Sequence, residues 1–63
     1  MATIVITKES EFNWDIAVYE KGKIVKRTWG NNRDQAIGKA ELLREYFTDD
    51  NGQMSSIKIN DIL

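Results

Sequence analysis

The sequence predicts a small α+β domain in which three strands, one helix and a fourth strand follow one another in the order βββαβ. Three observations lead to this fold class. Runs of alternating apolar and polar residues, typical of strands, lie before and after residues 33–47. Residues 33–47 instead show the apolar spacing of a helix, bounded by start and stop signals. The 63-residue length allows a single domain, residues 1–63, built as a small antiparallel sheet with the helix packed on one face.

The predicted helix has both of its ends marked in the sequence. Asn32 can cap the first turn, and Gln35 has the spacing of the second residue of a capping box. Asn51 or Gly52 can adopt the left-handed backbone conformation that ends a helix. Gly38 interrupts the helix, and we expect a neighbouring strand to pack closely against it. The apolar side chains recur at spacings of three and four, on one face that we expect to be buried: Ala36, Ile37, Ala40, Leu43 and Phe47.

Four segments have the composition of strands. Residues 2–7 are almost all β-branched, and residues 14–20 and 23–29 alternate between apolar and polar side chains. Residues 54–59 form the fourth run, after the helix. The three strands that precede the helix are close together in the chain, which favours antiparallel pairing between neighbours.

A two-residue turn at Lys21-Gly22 joins the second and third strands and sets their register, with Glu20 opposite Lys23. In this register Arg27 falls on the inner face, where it fits only if its aliphatic stem is buried and its charged end reaches water. A longer loop would move Arg27 to another position. The apolar residues predicted on the inner face are Ile4, Ile6, Trp14, Ile16, Val18, Val25 and Trp29.

The junction between the third strand and the helix resembles that of HicB-like antitoxins. It reads Gly30-Asn31-Asn32-Arg33-Asp34-Gln35-Ala36 and is followed by Ala40. In that family a glycine and small polar residues lead into a helix with alanines spaced by four. The resemblance covers a short part of the chain. It implies the βββαβ half of an RNase H-like sheet, a function by binding without catalysis, and frequent dimerisation.

The composition argues against an enzyme. The chain contains no Cys and no His, which removes disulfides, thiolate or imidazole chemistry and a histidine pH switch. No nucleotide-binding motif or nucleophile elbow occurs. Asp49, Asp50 and Asn51 lack the ligand spacing of a calcium loop and are typical of a turn after a helix. We therefore expect no catalysis, no cofactor, no bound metal and no small-molecule substrate.

Chain length and hydropathy bear on location and stability. No apolar run approaches the roughly 20 residues that a membrane span needs. The first residues also lack the basic and long apolar regions of a signal peptide. We therefore expect a cytoplasmic protein with no membrane partner. A chain of about 60 residues buries only about 60% of its unfolded surface, so self-association is one expected source of additional stability.

The face of the sheet that points away from the helix carries the strongest indication of function. The predicted register directs Val5, Tyr19 and Ile24 to that face, together with Ala17. This is more apolar surface than a monomer of this size usually leaves in water, and Tyr is a favoured interface anchor. We therefore predict a protein–protein interaction protein, a small inhibitor or adaptor of a larger intracellular machine. Val5, Tyr19 and Ile24 are its predicted partner or homodimer surface.

The basic stretch at residues 21–33 supports an alternative function, nucleic-acid binding. Its side chains can neutralise phosphates while nearby Trp and Tyr rings stack on bases. The order of elements also resembles small sheet-based DNA readers such as AP2-type domains. The same pattern is typical of a solvated hairpin whose lysines prevent edge pairing, so both interpretations stay open. The stretch contains no acid, and its predicted nucleic-acid contacts are Lys21, Lys23, Lys26, Arg27 and Arg33.

Overall fold

A computed structural model describes residues 2–47 and 55–60 and confirms the predicted fold class and element order. The four strands form one sheet in the order β3-β2-β1-β4, with α1 on one face. The predicted helix stop at Asn51 or Gly52 and the predicted start of the fourth strand at residue 54 lie outside the described residues. The elements are β1 (Thr3–Ser10), β2 (Asn13–Glu20), β3 (Lys23–Gly30), α1 (Arg33–Tyr46) and β4 (Ser56–Asn60).

The sheet is mixed, whereas the sequence predicts an antiparallel one. β1 pairs with β2, and β2 with β3, in antiparallel fashion through the two short turns. β4 instead runs parallel to β1, with Ser56 opposite Thr3 and Ile59 opposite Ile6. A parallel pair needs a long crossover connection, and α1 lies in that connection. The central strands are therefore β2 and β1, and each of β3 and β4 has one edge without a partner strand among the described residues.

The hydrophobic core lies between α1 and the inner face of the sheet, over β1 and β2. The predicted helix stripe is on this side: Ala36 and Ala40 are buried, while Leu43 and Phe47 are only partly buried against the core. No helix in the described part of the chain has the length and apolar character needed to cross a membrane. The buried core residues are Ala2, Ile4, Ile6, Trp14, Ile16, Val18, Ala36 and Ala40.

The start of α1 follows the predicted capping pattern. The Asn32 side-chain oxygen accepts a hydrogen bond from the Gln35 backbone N–H at 2.8 Å. The Gln35 side-chain oxygen in turn accepts from the Asn31 backbone N–H at 2.7 Å. These contacts satisfy two backbone donors near the helix start. The close packing expected at Gly38 is wrong, because this residue is exposed and a Cβ there would meet no atom of the described residues within 4 Å.

The β2–β3 hairpin begins as predicted and then departs from the predicted register. Lys21 and Gly22 have φ angles of 52° and 78°, as a two-residue hairpin turn requires, and Glu20 lies opposite Lys23. Tyr19 then pairs with Ile24, but Val18 pairs with Lys26. Val25 is therefore an extra residue in β3, which makes a β-bulge. From this point the predicted register is wrong by one residue.

The bulge corrects two sequence-based assignments, because a one-residue shift moves every later side chain to the other face. Arg27 lies opposite Ala17, and Trp29 lies opposite Asp15, so both leave the inner face. Trp29 is 57% exposed and is not a core residue, whereas Trp14 is buried as expected. Val25 remains on the α1 side of the sheet, as predicted, but it is exposed rather than buried.

Candidate functional site

The outer face, which is the side of the sheet opposite α1, carries the three residues predicted as a partner surface. Tyr19 lies between Thr3 and Ile24 in the register, and Val5 lies opposite Ala17. Ile24 is exposed, and Val5 and Tyr19 are partly exposed. Ala17 is buried, so it adds no accessible apolar surface. The predicted residues are thus gathered on one side of β1, β2 and β3.

The bulge adds Arg27 and Trp29 to this face. The two residues are two positions apart in β3 and therefore point to the same side of the sheet. A regular hairpin places both residues on the inner face, which is why the sequence does not predict them here. A signal was present, since the regular register forced the charged Arg27 among core positions. An extra residue in β3 removes that conflict.

An ion pair holds Arg27 in place on the outer face. Its Nε donates to Asp15 Oδ1 at 2.9 Å, and its Nη2 donates to Asp15 Oδ2 at 3.3 Å. This hydrogen bond and the negative charge of Asp15 raise the pKa of the Arg27 guanidinium above its ordinary value. The Arg27 side chain is still 60% exposed. The fork-to-fork contact therefore orients a guanidinium that can still meet a partner.

A shallow cleft opens beside this ion pair. Its volume is about 470 Å³. The wall formed by Trp29 is apolar, while Arg27 supplies one positive charge and Glu9 and Asp15 supply two carboxylates. The cleft therefore combines an apolar wall with groups of both charges. The lining residues are Glu9, Asn13, Asp15, Arg27, Thr28 and Trp29.

Lys39 connects α1 to the end of β3. Its Nζ donates to the Trp29 carbonyl oxygen at 2.7 Å and lies 5.2 Å from the centroid of the Trp29 ring. The second contact is a cation–π interaction, favourable because the ring face is electron-rich. The exposed Trp29 is therefore held by a residue of the helix.

The five basic residues predicted to contact nucleic acid do not share one face. Lys26 is at an inward position opposite Val18, whereas Arg27 is on the outer face. Lys21 is in the hairpin turn, while Arg33 begins α1 beyond the far end of β3. An eight-residue strand spans about 25 Å, so these ends are well separated. Lys23, at the turn end of β3, lies opposite an acid in the register.

The described residues contain no group of three or more acidic side chains arranged to hold a metal ion. Asp49, Asp50 and Asn51, which were considered as a calcium loop, lie outside the described residues. The βββαβ topology implied by the strand-to-helix junction is present. Compared with known protein families, curated proteins and solved structures, the chain matches none of them.

Proposed function

We propose that this protein is a non-catalytic binding module of the cytoplasm that acts by protein–protein interaction, as a small inhibitor or adaptor of a larger intracellular machine. One observation carries the proposal: Tyr19 on β2 and Arg27 and Trp29 on β3 all occupy outer-face positions of the sheet. Tyr, Arg and Trp are the residue types most enriched among those that dominate binding energy at protein interfaces.

The surroundings of these three residues suit a protein partner. Val5 and Ile24 supply apolar contact area on the same face. The orientation of the Arg27 guanidinium is already set by Asp15, and the Trp29 backbone is held by Lys39. Side chains that are ordered before binding lose less conformational entropy in a complex. The outer face thus combines apolar area, an oriented charge and an exposed aromatic ring.

The alternative function, nucleic-acid binding, has weaker support from the distribution of charge. Arg27 and Trp29 could contact a phosphate and a base. Glu9 and Asp15, however, line the same cleft and would repel phosphates. The remaining lysines of the basic stretch are at inward or turn positions. We therefore favour a protein as the partner.

Affinity capture with matched variants tests the proposal. The immobilised chain is used to capture proteins from a cytoplasmic extract, and the bound proteins are quantified by mass spectrometry. We expect Tyr19→Ala and Trp29→Ala each to weaken capture of the specific partner by about 30-fold, corresponding to about 2 kcal/mol for a residue that dominates an interface. Phe12→Ala is the control, because Phe12 is 77% exposed in the β1–β2 turn and is not among the residues that line the cleft.

Circular dichroism of each variant separates lost binding from lost folding. If Tyr19→Ala unfolds the domain, Tyr19 is a structural residue and its part in the proposal fails. Trp29→Ala then remains as the test, because the exposure of Trp29 predicts a folded variant. A partner that binds the wild type and both variants equally well would exclude the outer face as its binding surface.

A further inference from the structure

An apolar groove lies on the opposite side of the sheet, between β3 and the C-terminal half of α1. Its volume is about 600 Å³, and a shallower extension of about 210 Å³ continues along β3 towards Lys39. Leu42 and Tyr46, four residues apart on α1, are 70% and 80% exposed. The groove is lined by Val25, Lys26, Leu42, Leu43, Tyr46 and Phe47.

The groove is open because one helix is too narrow for a four-stranded sheet. Strands lie about 4.8 Å apart, so the outer strands of this sheet are roughly 14 Å apart, while a helix is about 10 Å wide. α1 buries Ala36 and Ala40 against the core over β1 and β2. The inward positions of β3 are Lys26 and Thr28, which contribute no large apolar side chain. A second helix could therefore pack beside α1 only partly above β3, with the rest of it beyond the free edge of that strand.

We infer that the groove is a homodimer interface, occupied by the C-terminal half of α1 from a second copy of this chain. Leu42 and Tyr46 line the groove and are also the exposed apolar residues of α1. Two copies related by a two-fold axis can therefore each insert Leu42 and Tyr46 into the groove of the other. A two-fold interface requires this self-complementarity, because the same patch is used on both sides.

The charges around the groove are complementary to the helix that would occupy it. Lys26 and Lys39 line the groove and its extension, and no acid is among the described residues that line them. Glu45 follows Leu42 by three residues and is exposed, so it borders the apolar face of α1. Insertion of the helix of a second copy brings its Glu45 towards Lys26. The two-fold axis repeats the contact, so the dimer contains two Glu45–Lys26 pairs.

Two aromatic rings in the wall of the groove pack against each other. The Tyr46 and Phe47 rings pack edge to face, with their centroids 4.9 Å apart and an interplanar angle of 71°. Phe47 also packs against the core. Ordered aromatic side chains reduce the entropy lost on association. A short chain without Cys also gains stability from burying Leu42 and Tyr46.

The inference rests on the proposed role as a binding module, but it concerns a different surface and can fail separately. The partner surface is on the outer face, whereas the groove is on the side of α1. A dimer formed through the groove leaves Tyr19, on the opposite face of the sheet, accessible on both copies. Variants of the two surfaces are therefore expected to have different effects on mass and on partner capture.

Sedimentation equilibrium over a wide concentration range tests the inference. We expect the wild type to approach twice the 7.3 kDa mass of the chain as its concentration rises. Tyr46→Glu and Leu42→Glu should each give a folded monomer. Phe12→Glu, a charge placed at an exposed aromatic outside the groove, should leave the dimer intact. A wild type that stays at 7.3 kDa up to its solubility limit overturns the inference.

Charge reversal provides a second test that does not depend on apolar positions. Lys26→Glu and Glu45→Lys should each raise the dimer dissociation constant several-fold, and the double variant should restore it because opposite charges meet again. A dimer that resists Tyr46→Glu but dissociates with Tyr19→Ala uses the outer face and also overturns the inference. If the groove dimer forms but no partner is captured, the proposed function is contradicted while the inferred dimer stands.

Discussion

Gly30 at the end of β3 lies directly against Ala36 in the first turn of α1. A Cβ atom built on Gly30 would lie 2.9 Å from the Ala36 backbone nitrogen and 3.1 Å from its Cα. Both distances are below ordinary van der Waals contact, and the opposing atoms are backbone. The absence of a side chain at Gly30 therefore sets how closely the helix approaches the strand that it follows.

A paired glycine experiment checks this contact. Gly30→Ala should destabilise the protein by about 1–3 kcal/mol, because backbone atoms must move to admit the methyl group. Gly38→Ala is the matched control and should stabilise it by up to about 1 kcal/mol, since Ala is the better helix former and the site is open. Urea unfolding followed by circular dichroism measures both changes. Equal stability of Gly30→Ala and the wild type would show that the helix can shift freely.

The N-cap of α1 gives a second prediction. Asn32→Ala should lower the free energy of unfolding by about 0.5–2 kcal/mol, because the Gln35 N–H loses its acceptor. Asn31→Ala is the control: the contact of Asn31 with Gln35 uses a backbone N–H that alanine retains. Chemical denaturation compares the two variants. If both variants lost the same free energy of unfolding, the Asn32 side chain would have no specific role in capping.

The parts of the fold that depend on neighbouring residues could be predicted from the sequence. The cap at Asn32 and the turn at Lys21-Gly22 are confirmed, because each is set by residues a few positions apart. The bulge at Val25 was missed because it depends on how two whole strands pair. The parallel direction of β4 was missed for a similar reason, since it depends on the crossover through α1.

The candidate site was predictable only in part. Tyr19 and Ile24 lie between the hairpin turn and the bulge, where the pairing is still regular. Their place on the outer face therefore follows from simple alternation. Trp29 follows the bulge and was assigned to the wrong face. The groove depends on where α1 sits across the sheet, which no local pattern determines. The spacing of Leu42 and Tyr46 was a visible signal of a second apolar helix face.

The two tryptophans give a direct test of the bulged register. In a Trp14→Phe variant, the remaining Trp29 should emit at longer wavelength and be quenched readily by acrylamide, because it is largely exposed. In a Trp29→Phe variant, the buried Trp14 should emit at shorter wavelength and resist quenching. Circular dichroism must first show that both variants are folded. If the two rings emitted at the same wavelength and were quenched equally, the bulge would be contradicted and the regular register would be favoured.

The alternative function makes an equally specific prediction about salt. If the basic stretch bound nucleic acid, affinity for a DNA or RNA duplex would fall steeply with salt, and Lys26→Ala would reduce the slope of log affinity against log salt by about 1. We instead expect no tight binding at low salt, because Lys26 and Arg27 lie on different faces and carboxylates line the cleft beside Arg27. Fluorescence anisotropy with labelled duplexes measures this. Salt-sensitive binding that is lost in both Lys26→Ala and Arg27→Ala would replace protein binding as the favoured function.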